Sequence, residues 1–596
     1  MSTELQPSEE GGRPLASDPE VGPTWPYDDP SLQWLATERR GVARYVAASF
    51  WLLPGSLYGI TACKGTGWLD ASMIANHVHL MKANGWVNSH NLFLYLARVW
   101  VELVPIQDMA YSLNLLAALL GTVTVFMVFQ TTMELTRNLA ASTLGAIALM
   151  LSHSLWWHST MVEVYTLNTA LMTGMVYLIV RYSRTRSLHH LYGALLCWGL
   201  GIANHVLMGL FLFPFLALFA IPRLWSQLWS PRVIGGGMLV VALGGQLWVT
   251  KVFDDYTAFL NRDAPTLQER SAEVRWAQLS ETTKRAFGGR FQDRMFTESM
   301  PTSTKWKWRA NFAMLLGLNY PSVAFVMGWL GLYVWGRRRE ERVSFVFLTV
   351  GLAAQTMWSA NYFIWDMYAF GLPVWVLFSL PIGVGFDRVL RMKGRIRTAV
   401  LVLLPTLLIG PWLHVSVSGW AKEPGFWKEY FRGLQGRNLY DPIEYFVNPN
   451  KRGYTRTEDI LAAYDRSLPP DSHIWDSDSK GYFPYRMYHQ KVLGHRPDVS
   501  AHLVFGGFMD DTKATEHADK LLNNLESGEP VFISSITYPE RAVLTQLYRK
   551  LDPATPVKTL RGMTPKELAD SFPGWRIETF PLDGLDDAHI YHFVRR

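Results

Sequence analysis

The chain has 596 residues, of which 49% are hydrophobic, 14% aromatic and only 18% charged, with 25 Trp among them. So much apolar surface argues against an ordinary soluble protein and for a polytopic membrane protein with a soluble part. The formal charge of +6 resides in short Lys/Arg clusters between apolar runs, which is the pattern of membrane-orienting charge and argues against nucleic-acid binding.

Residues 1–40 are acidic, rich in Pro, Gly and Ser and without apolar periodicity, so they are expected to form a disordered cytoplasmic tail. The first apolar run, Tyr45 to Ala62, follows Arg39, Arg40 and Arg44 and reads as an uncleaved signal anchor. Ten further runs, near 109–131, 139–156, 163–181, 189–203, 206–221, 233–250, 313–335, 343–360, 367–385 and 397–415, approach the ~20 residues needed to cross hydrocarbon, giving about eleven spans in a membrane domain over 41–415. With the amino terminus in the cytoplasm, every basic loop falls inside: Arg137; Arg181, Arg184 and Arg186; Arg223 and Arg232; Arg337 to Arg339 with Arg342; Arg388, Arg391, Lys393, Arg395 and Arg397. The apolar stretch 189–221 must then be two short spans joined by Asn204-His205. One continuous helix would run to roughly 50 Å and would place Arg337 to Arg339 outside.

Two outer loops follow from this topology, 64–108 and 251–308. In the first, Leu69, Met73, Ile74, His77 and Leu80 recur at helical spacing, predicting an interfacial helix from Trp68 to Ala83 with Asp70 in its first turn. A second short helix from His90 to Val104 carries Arg98 and Glu102. The second loop, polar and charged around Phe287-Gly288-Gly289-Arg290-Phe291, reads as a partly helical flap or a flexible connection. After a linker at 416–470, strand-like runs at 472–475, 499–504, 530–536, 575–580 and 589–594 alternate in part with helical stretches at 513–525 and 540–551, which predicts an extracytoplasmic α/β domain over 471–596. It lacks a glycine-rich phosphate loop, and Asp476, Asp478 and Lys480 read as a polar turn.

The topology gathers Asp70, His90, Glu163, His205 and Asp366 on one face of the membrane, although they flank different apolar runs. Ionisable groups at such depth are costly and are usually retained for chemistry or transport. Each also has a local reading: Asp70 and Asp366 as helix caps, Glu163 as a carboxylate at a helix N-terminus, Asn204-His205 as a polar turn. The histidines near this face, His77, His79, His90, His153 and His158, have irregular spacing without a His-Glu-x-x-His pattern, and Cys63 and Cys197 lie at or within apolar runs, so no metal set is predicted.

Five ordered motifs carry a resemblance. Trp68-Leu69-Asp70-Ala71-Ser72, Asn88-Ser89-His90, Asn114-Leu115-Leu116-Ala117-Ala118-Leu119, Glu163-Val164-Tyr165-Thr166-Leu167-Asn168 and Gly199-Leu200-Gly201-Ile202-Ala203-Asn204-His205 are similar to the successive signatures of a bacterial and eukaryotic membrane family. That family includes the O-mannosyltransferase acting on plexin-type receptors and belongs to the GT-C glycosyltransferases. Asp366-Met367-Tyr368 with Leu372-Pro373, and in the tail Leu468-Pro469-Pro470, Asp476-Ser477-Asp478 and Arg496-Pro497-Asp498-Val499, resemble its later motifs. Two departures stand out: Met73 replaces the family's usual glutamate, and its His-Pro-Pro-Gly becomes His90-Asn91-Leu92-Phe93.

The resemblance implies an all-α, GT-C-like membrane domain that moves a monosaccharide from a polyprenyl-phosphate donor to the hydroxyl of an acceptor protein or glycan on the extracytoplasmic face, with inversion. Such transfer needs a base for the hydroxyl, a role assigned here to Asp70. Substrate binding falls to His90, Glu163, Tyr165, Asn204, His205 and Asp366, and the leaving phosphate to Lys64, Arg98, Arg290 or Arg294. A bacterial inner membrane is the expected location. The rival readings are a secondary transporter, for which no internal repeat is visible, and an inactive scaffold on the same framework.

Overall fold

A computed structural model describes residues 30–68, 70–81, 90–263, 302–362, 367–420, 442–477, 481–504, 511–537 and 539–596, together with Trp276 and Ser280. Residues 50–596 form one compact unit and residues 1–49 another. Helix α1 (Pro30–Thr61) starts ten residues inside the stretch expected to be disordered. It is followed by α2 (Asp70–Leu80), α3 (Asn91–Leu103), α4 (Met109–Thr136), α5 (Leu139–Met150), α6 (His153–His158), α7 (Tyr165–Thr185) and α8 (Leu188–Asn204).

Local chemistry sets these boundaries. Asp108 caps α4, accepting from the backbone N–H of Tyr111 at 2.9 Å, and the helix stops where Arg137 turns left-handed at φ 52°. Asn138 then caps α5 in the same way. The run expected as one span over 139–156 is broken, because the helix ends at Met150 and α6 restarts after Ser152 in extended conformation. At His205 the backbone is extended (φ −154°, ψ 135°), so α8 ends there and a 3-10 turn, Val206–Phe211, leads into helix Leu212–Phe219. The predicted interruption at Asn204-His205 is therefore present.

Among the described residues, five helices are long and apolar enough to cross a bilayer, or seven if each of two bent pairs counts as one span. That is fewer than the eleven expected, since several runs form shorter or more polar helices; α7, for instance, buries Thr166, Asn168, Thr169 and Thr173. The run 313–335 is one of the bent pairs: Thr302–Asn319 and Val323–Gly336 meet at 104°, where Pro321 interrupts and Ser322 caps the second helix.

Basic residues assigned to the inner loops gather at one end of the bundle. Glu134 pairs with Arg181 (3.2 Å) and Arg184 (3.3 Å), Arg184 also pairs with Glu341, and Asp387 takes Arg338 (3.1 Å) and Arg391 (2.7 Å). Arg338 and Arg391 also donate to the carbonyls of Leu135 and Thr136, at the C-terminal end of α4 where carbonyls lack helical partners. Since α7 runs ~30 Å from Tyr165 to Thr185, the cluster around Arg184 lies a hydrocarbon thickness from the helix start.

The stretch expected as a linker contains two helices, Pro442–Val447 and Arg456–Ser467, which bury Tyr445, Ile460 and Tyr464. Beyond them a five-stranded mixed sheet has the order β2-β1-β3-β5-β4, with β1 (His473–Asp476), β2 (Ser500–Leu503), β3 (Val531–Ile533), β4 (Trp575–Leu582) and β5 (Leu585–Arg595). β1 is parallel to β2 and β3, whereas β5 is antiparallel to β3 and β4. Gly584, at φ 81°, makes the left-handed turn of the terminal hairpin. Helices Asp511–Glu526 and Glu540–Leu551 cover the sheet, closing a core of Trp475, Leu521, Ile533, Leu544, Leu547 and Phe593.

Candidate active site

Asp70 is the first residue of α2. Two buried side chains hold the chain leading to it. Trp68, fully buried, donates its backbone N–H to the Tyr445 hydroxyl at 3.0 Å, and that hydroxyl donates back to the Trp68 carbonyl at 2.9 Å. One phenol thus satisfies both backbone groups of a residue two positions from Asp70. The Asn114 amide, near the start of α4, donates to the carbonyls of Cys63 (2.8 Å) and Gly65 (3.0 Å), while its oxygen accepts the Val162 N–H at 2.8 Å. A single buried side chain therefore ties the loop before Asp70 to the residue before Glu163.

A second amide extends the assembly. The Asn204 side chain donates to the Val164 carbonyl at 3.1 Å, and the Asn204 backbone carbonyl lies 2.7 Å from Nδ1 of His90. A carbonyl only accepts, so the His90 proton sits on Nδ1 and leaves Nε2 as an acceptor. His205 has the opposite tautomer, since its Nδ1 accepts the Leu207 N–H at 3.1 Å and the proton is on Nε2. The two rings stack at 5.0 Å and 17°. Burial lowers both imidazole pKa values, and for His205 the neighbouring His90 adds to the effect, so the pair is neutral near pH 7. His90 adopts φ 53°, a left-handed conformation uncommon outside glycine that ends at the first turn of α3. Tyr165 lies 5.1 Å from His205 and 5.4 Å from His158, and Phe370 is 5.8 Å from Tyr165, so imidazoles and aromatic rings form a continuous wall.

Asp70 remains open to solvent, yet the protein around it raises its carboxyl pKa by desolvation. Tyr445, bonded to Trp68, also senses Glu163: its phenol pKa is held well above the ordinary value, mainly by burial and further by Tyr454 and the Glu163 carboxylate. Hydrogen bonds and ring contacts thus join the segments that carry Asp70, His90, Glu163, Tyr165, Asn204 and His205, at the opposite end of α4 and α7 from the Arg184 cluster.

The phosphate candidates separate. Lys64 is exposed on the loop before Asp70. Arg98 is engaged elsewhere, donating to the carbonyls of Val78 and His79 at 3.4 Å and pairing with Glu102, so it finishes the far end of α2, ~15 Å along the helix from Asp70. Arg290, Arg294 and Asp366 lie outside the described residues, as do Leu69, Asn88 and Ser89.

Two contributors had no sequence signal. Tyr445 was hidden in the expected linker. Lys451, 1% exposed, donates to the carbonyls of Tyr445 and Asn448 and lies 5.2 Å from the Tyr445 ring and 5.8 Å from that of Trp157. Trp157 donates to the same Tyr445 carbonyl at 2.7 Å.

The apolar helices and the segregated charge clusters define a polytopic integral membrane protein with a mixed-sheet domain at its carboxyl end. Residues 89–229 match the family model described as the protein O-mannosyl-transferase TMEM260 N-terminal domain. Protein O-mannosyl-transferase TMEM260 of Mus musculus is 32% identical over 118 residues, which is 19% of this chain and 17% of the mouse protein. The family named from the motifs is therefore the one found, over a segment that holds His90, Asn114, Glu163, Tyr165, Asn204 and His205 but not Asp70. Among solved structures, ArnT from Cupriavidus metallidurans bound to undecaprenyl phosphate is similar at 12% identity, with a TM-score of 0.49, over 94% of this chain and 98% of that one. Archaeoglobus fulgidus oligosaccharyltransferase AglB, in complex with an inhibitory peptide and a dolichol-phosphate, is similar at 12% identity, with a TM-score of 0.47, over 84% and 71%.

Proposed function

We propose that this protein is a GT-C-type membrane glycosyltransferase that takes a monosaccharide from a polyprenyl-phosphate carrier and joins it to an acceptor hydroxyl, on protein or glycan, at the extracytoplasmic face. The observation that carries the reading is the set of hydrogen bonds made by Asn114 and Asn204, which tie together the segments that carry Asp70, His90, Glu163 and His205 at a single end of the bundle. The family match over 89–229 supports the same class.

In this reading the Asp70 carboxylate accepts the acceptor's hydroxyl proton as the oxygen attacks the anomeric carbon, and the carrier phosphate leaves from the opposite face with inversion. A desolvated carboxylate is a stronger base than one in water, and proton transfer of this kind is worth roughly 10²–10⁴ in rate. His90, Glu163, Tyr165, Asn204 and His205 bind the sugar and the acceptor, with Asp366 completing the group. His205 supplies an Nε2 proton, His90 an Nε2 lone pair, and Tyr165 an aromatic face. Lys64 and the loop residues Arg290 and Arg294 neutralise the departing phosphate, whose charge grows as the bond breaks. The amino terminus is then cytoplasmic and 471–596 lies outside.

The test is incubation of purified protein with polyprenyl-phosphate mannose and an acceptor protein, with mass detection of released polyprenyl phosphate. Release by wild type that falls at least about a hundredfold in Asp70→Asn, with unchanged thermal unfolding, supports the assignment. No release by wild type with any lipid-linked monosaccharide overturns it.

A further inference from the structure

Away from the site just described, the carboxyl-terminal domain brings Asp465, His489 and His495 together, and their donor atoms all lie within 4.8 Å of one another. We propose that these three residues form a binding site for a divalent transition-metal ion of the zinc class, independent of the transferase reading.

Three pieces of local structure build the site. Asp465 is near the end of helix Arg456–Ser467. His489 is on a π-helical segment, Phe483–Gln490, a wide turn that is rare in proteins and concentrated at functional positions. His495 returns to it because the chain reverses at Gly494 (φ 74°), with the backbone N–H of Gly494 donating to Gln490 at 3.0 Å and that of His495 to His489 at 3.1 Å. The two imidazoles meet at 4.5 Å and 65°. Asp465 Oδ2 lies between them, 2.7 Å from His489 Nε2 and 3.6 Å from His495 Nδ1.

The donor set matches the ion. Two imidazole nitrogens and one carboxylate oxygen suit zinc, cobalt or nickel and not calcium or magnesium, which favour oxygen cages. In a tetrahedral site with bonds of 2.0–2.1 Å, ligand atoms stand roughly 3.3 Å apart, so His489 and Asp465 need to part by only about half an ångström. Asp465 Oδ1 is buried and has no hydrogen-bond partner among the described residues, which leaves this carboxylate with unspent acceptor capacity. The nearest guanidinium does not compete: Arg496 is paired with Asp498 at 2.7 Å and donates to the backbone carbonyls of Asp465 and Pro469, fixing the segment that presents the acid. His495 is 54% exposed, giving the ion a route in and room for water as a fourth ligand.

An ion here would pin helix Arg456–Ser467 to the π-helix, whose Met487 Sδ lies 3.6 Å from the Asn76 amide on α2. The experiment uses tag-free, full-length protein in detergent, stripped with chelator and titrated with Zn²⁺ against a chromophoric competitor. Wild type is expected to bind one equivalent that the exposed substitution His495→Ala weakens by at least tenfold, and that Asp465→Asn, which preserves volume, weakens likewise. Zinc should also raise the unfolding temperature of wild type and not of His495→Ala. Equal zinc affinity in wild type and both variants, or no binding by folded wild type, overturns the site.

Discussion

Asp70 combines two properties that pull in opposite directions, access to water and desolvation by its surroundings. In its proposed role of general base Asp70 acts only when ionised, and a raised pKa delays ionisation, so the proposed sugar transfer is expected to slow as pH drops through a value above the ordinary carboxylate range near 3.9. The pH profile of kcat/KM checks this; an acid limb at or below 3.9 contradicts it. Asn114 is a different kind of residue, positioning both loops without reacting. Asn114→Leu leaves the Cys63 and Gly65 carbonyls and the Val162 N–H unpaired in a buried region, at about 1–3 kcal/mol for each group. The expected result is a lower unfolding temperature in detergent and a transfer rate that falls even at saturating donor. The acids and imidazoles of the proposed site were visible in the sequence, because an acid or imidazole beside an apolar run is conspicuous. Its fasteners were not: the partners of Tyr445 and Trp68 are 377 positions apart, and no local pattern records such a contact. Lys451 was equally silent, since a buried lysine and a surface lysine have the same letter.

At the level of helices, composition located the apolar segments but not their breaks. Strands β1 to β4 start within one residue of their predicted positions, because alternation and turn residues are local signals, whereas β5 starts at Leu585, four residues before the predicted 589. The breaks at Ser152 and Pro321 depend on which cap or neighbour takes the freed backbone groups, so the runs 139–156 and 313–335 looked continuous. Helix packing is sharper than hydropathy reveals. A β-carbon added to Gly331 would lie 1.7 Å from the Pro381 carbonyl oxygen, and one added to Gly385 would lie 2.0 Å from that of Met327. Helices Val323–Gly336 and Met367–Leu390 therefore meet backbone to backbone, a contact that membrane helices make through small residues. Gly331→Ala and Gly385→Ala must each force the pair apart, at a cost of about 1–3 kcal/mol or more. Gly317→Ala, within Thr302–Asn319 and with nothing inside 4 Å of the added carbon, should instead be neutral or stabilise by about 0.5–1 kcal/mol. Thermal unfolding of the three variants in one detergent checks the contrast; a loss at Gly317 equal to that at Gly331 would refute it.

The bundle and the carboxyl-terminal half meet at the loop that presents Asp70, and a buried acid lies at that junction. Glu458, on helix Arg456–Ser467, approaches Gly65 so closely that a β-carbon there would be 1.7 Å from its Oε1. Burial pushes the Glu458 carboxyl up to about 8; the Thr66 backbone lowers it, and the Asp108 and Asp459 carboxylates raise it further. In the unfolded chain the same group titrates near 4.5, so between these values the folded protein retains a proton that the unfolded protein has lost. The folded state is favoured fully below 4.5, and that advantage drains away as pH rises to 8 and is gone above it. Glu458→Gln keeps the shape and removes the proton. Relative to wild type it should therefore gain stability steadily from pH 5 to 8 and hold a constant lead beyond, on the order of a few kcal/mol. Unfolding temperatures of both proteins across pH 5 to 9 measure the gap, and a gap that does not widen would show that Glu458 ionises as readily in the fold as in the free chain. Because an ionised Glu458 strains the approach to Gly65, five residues before Asp70, wild-type transfer should also decline above pH 8 while Glu458→Gln stays active. A shared alkaline decline would assign that limb to another group and detach this junction from catalysis.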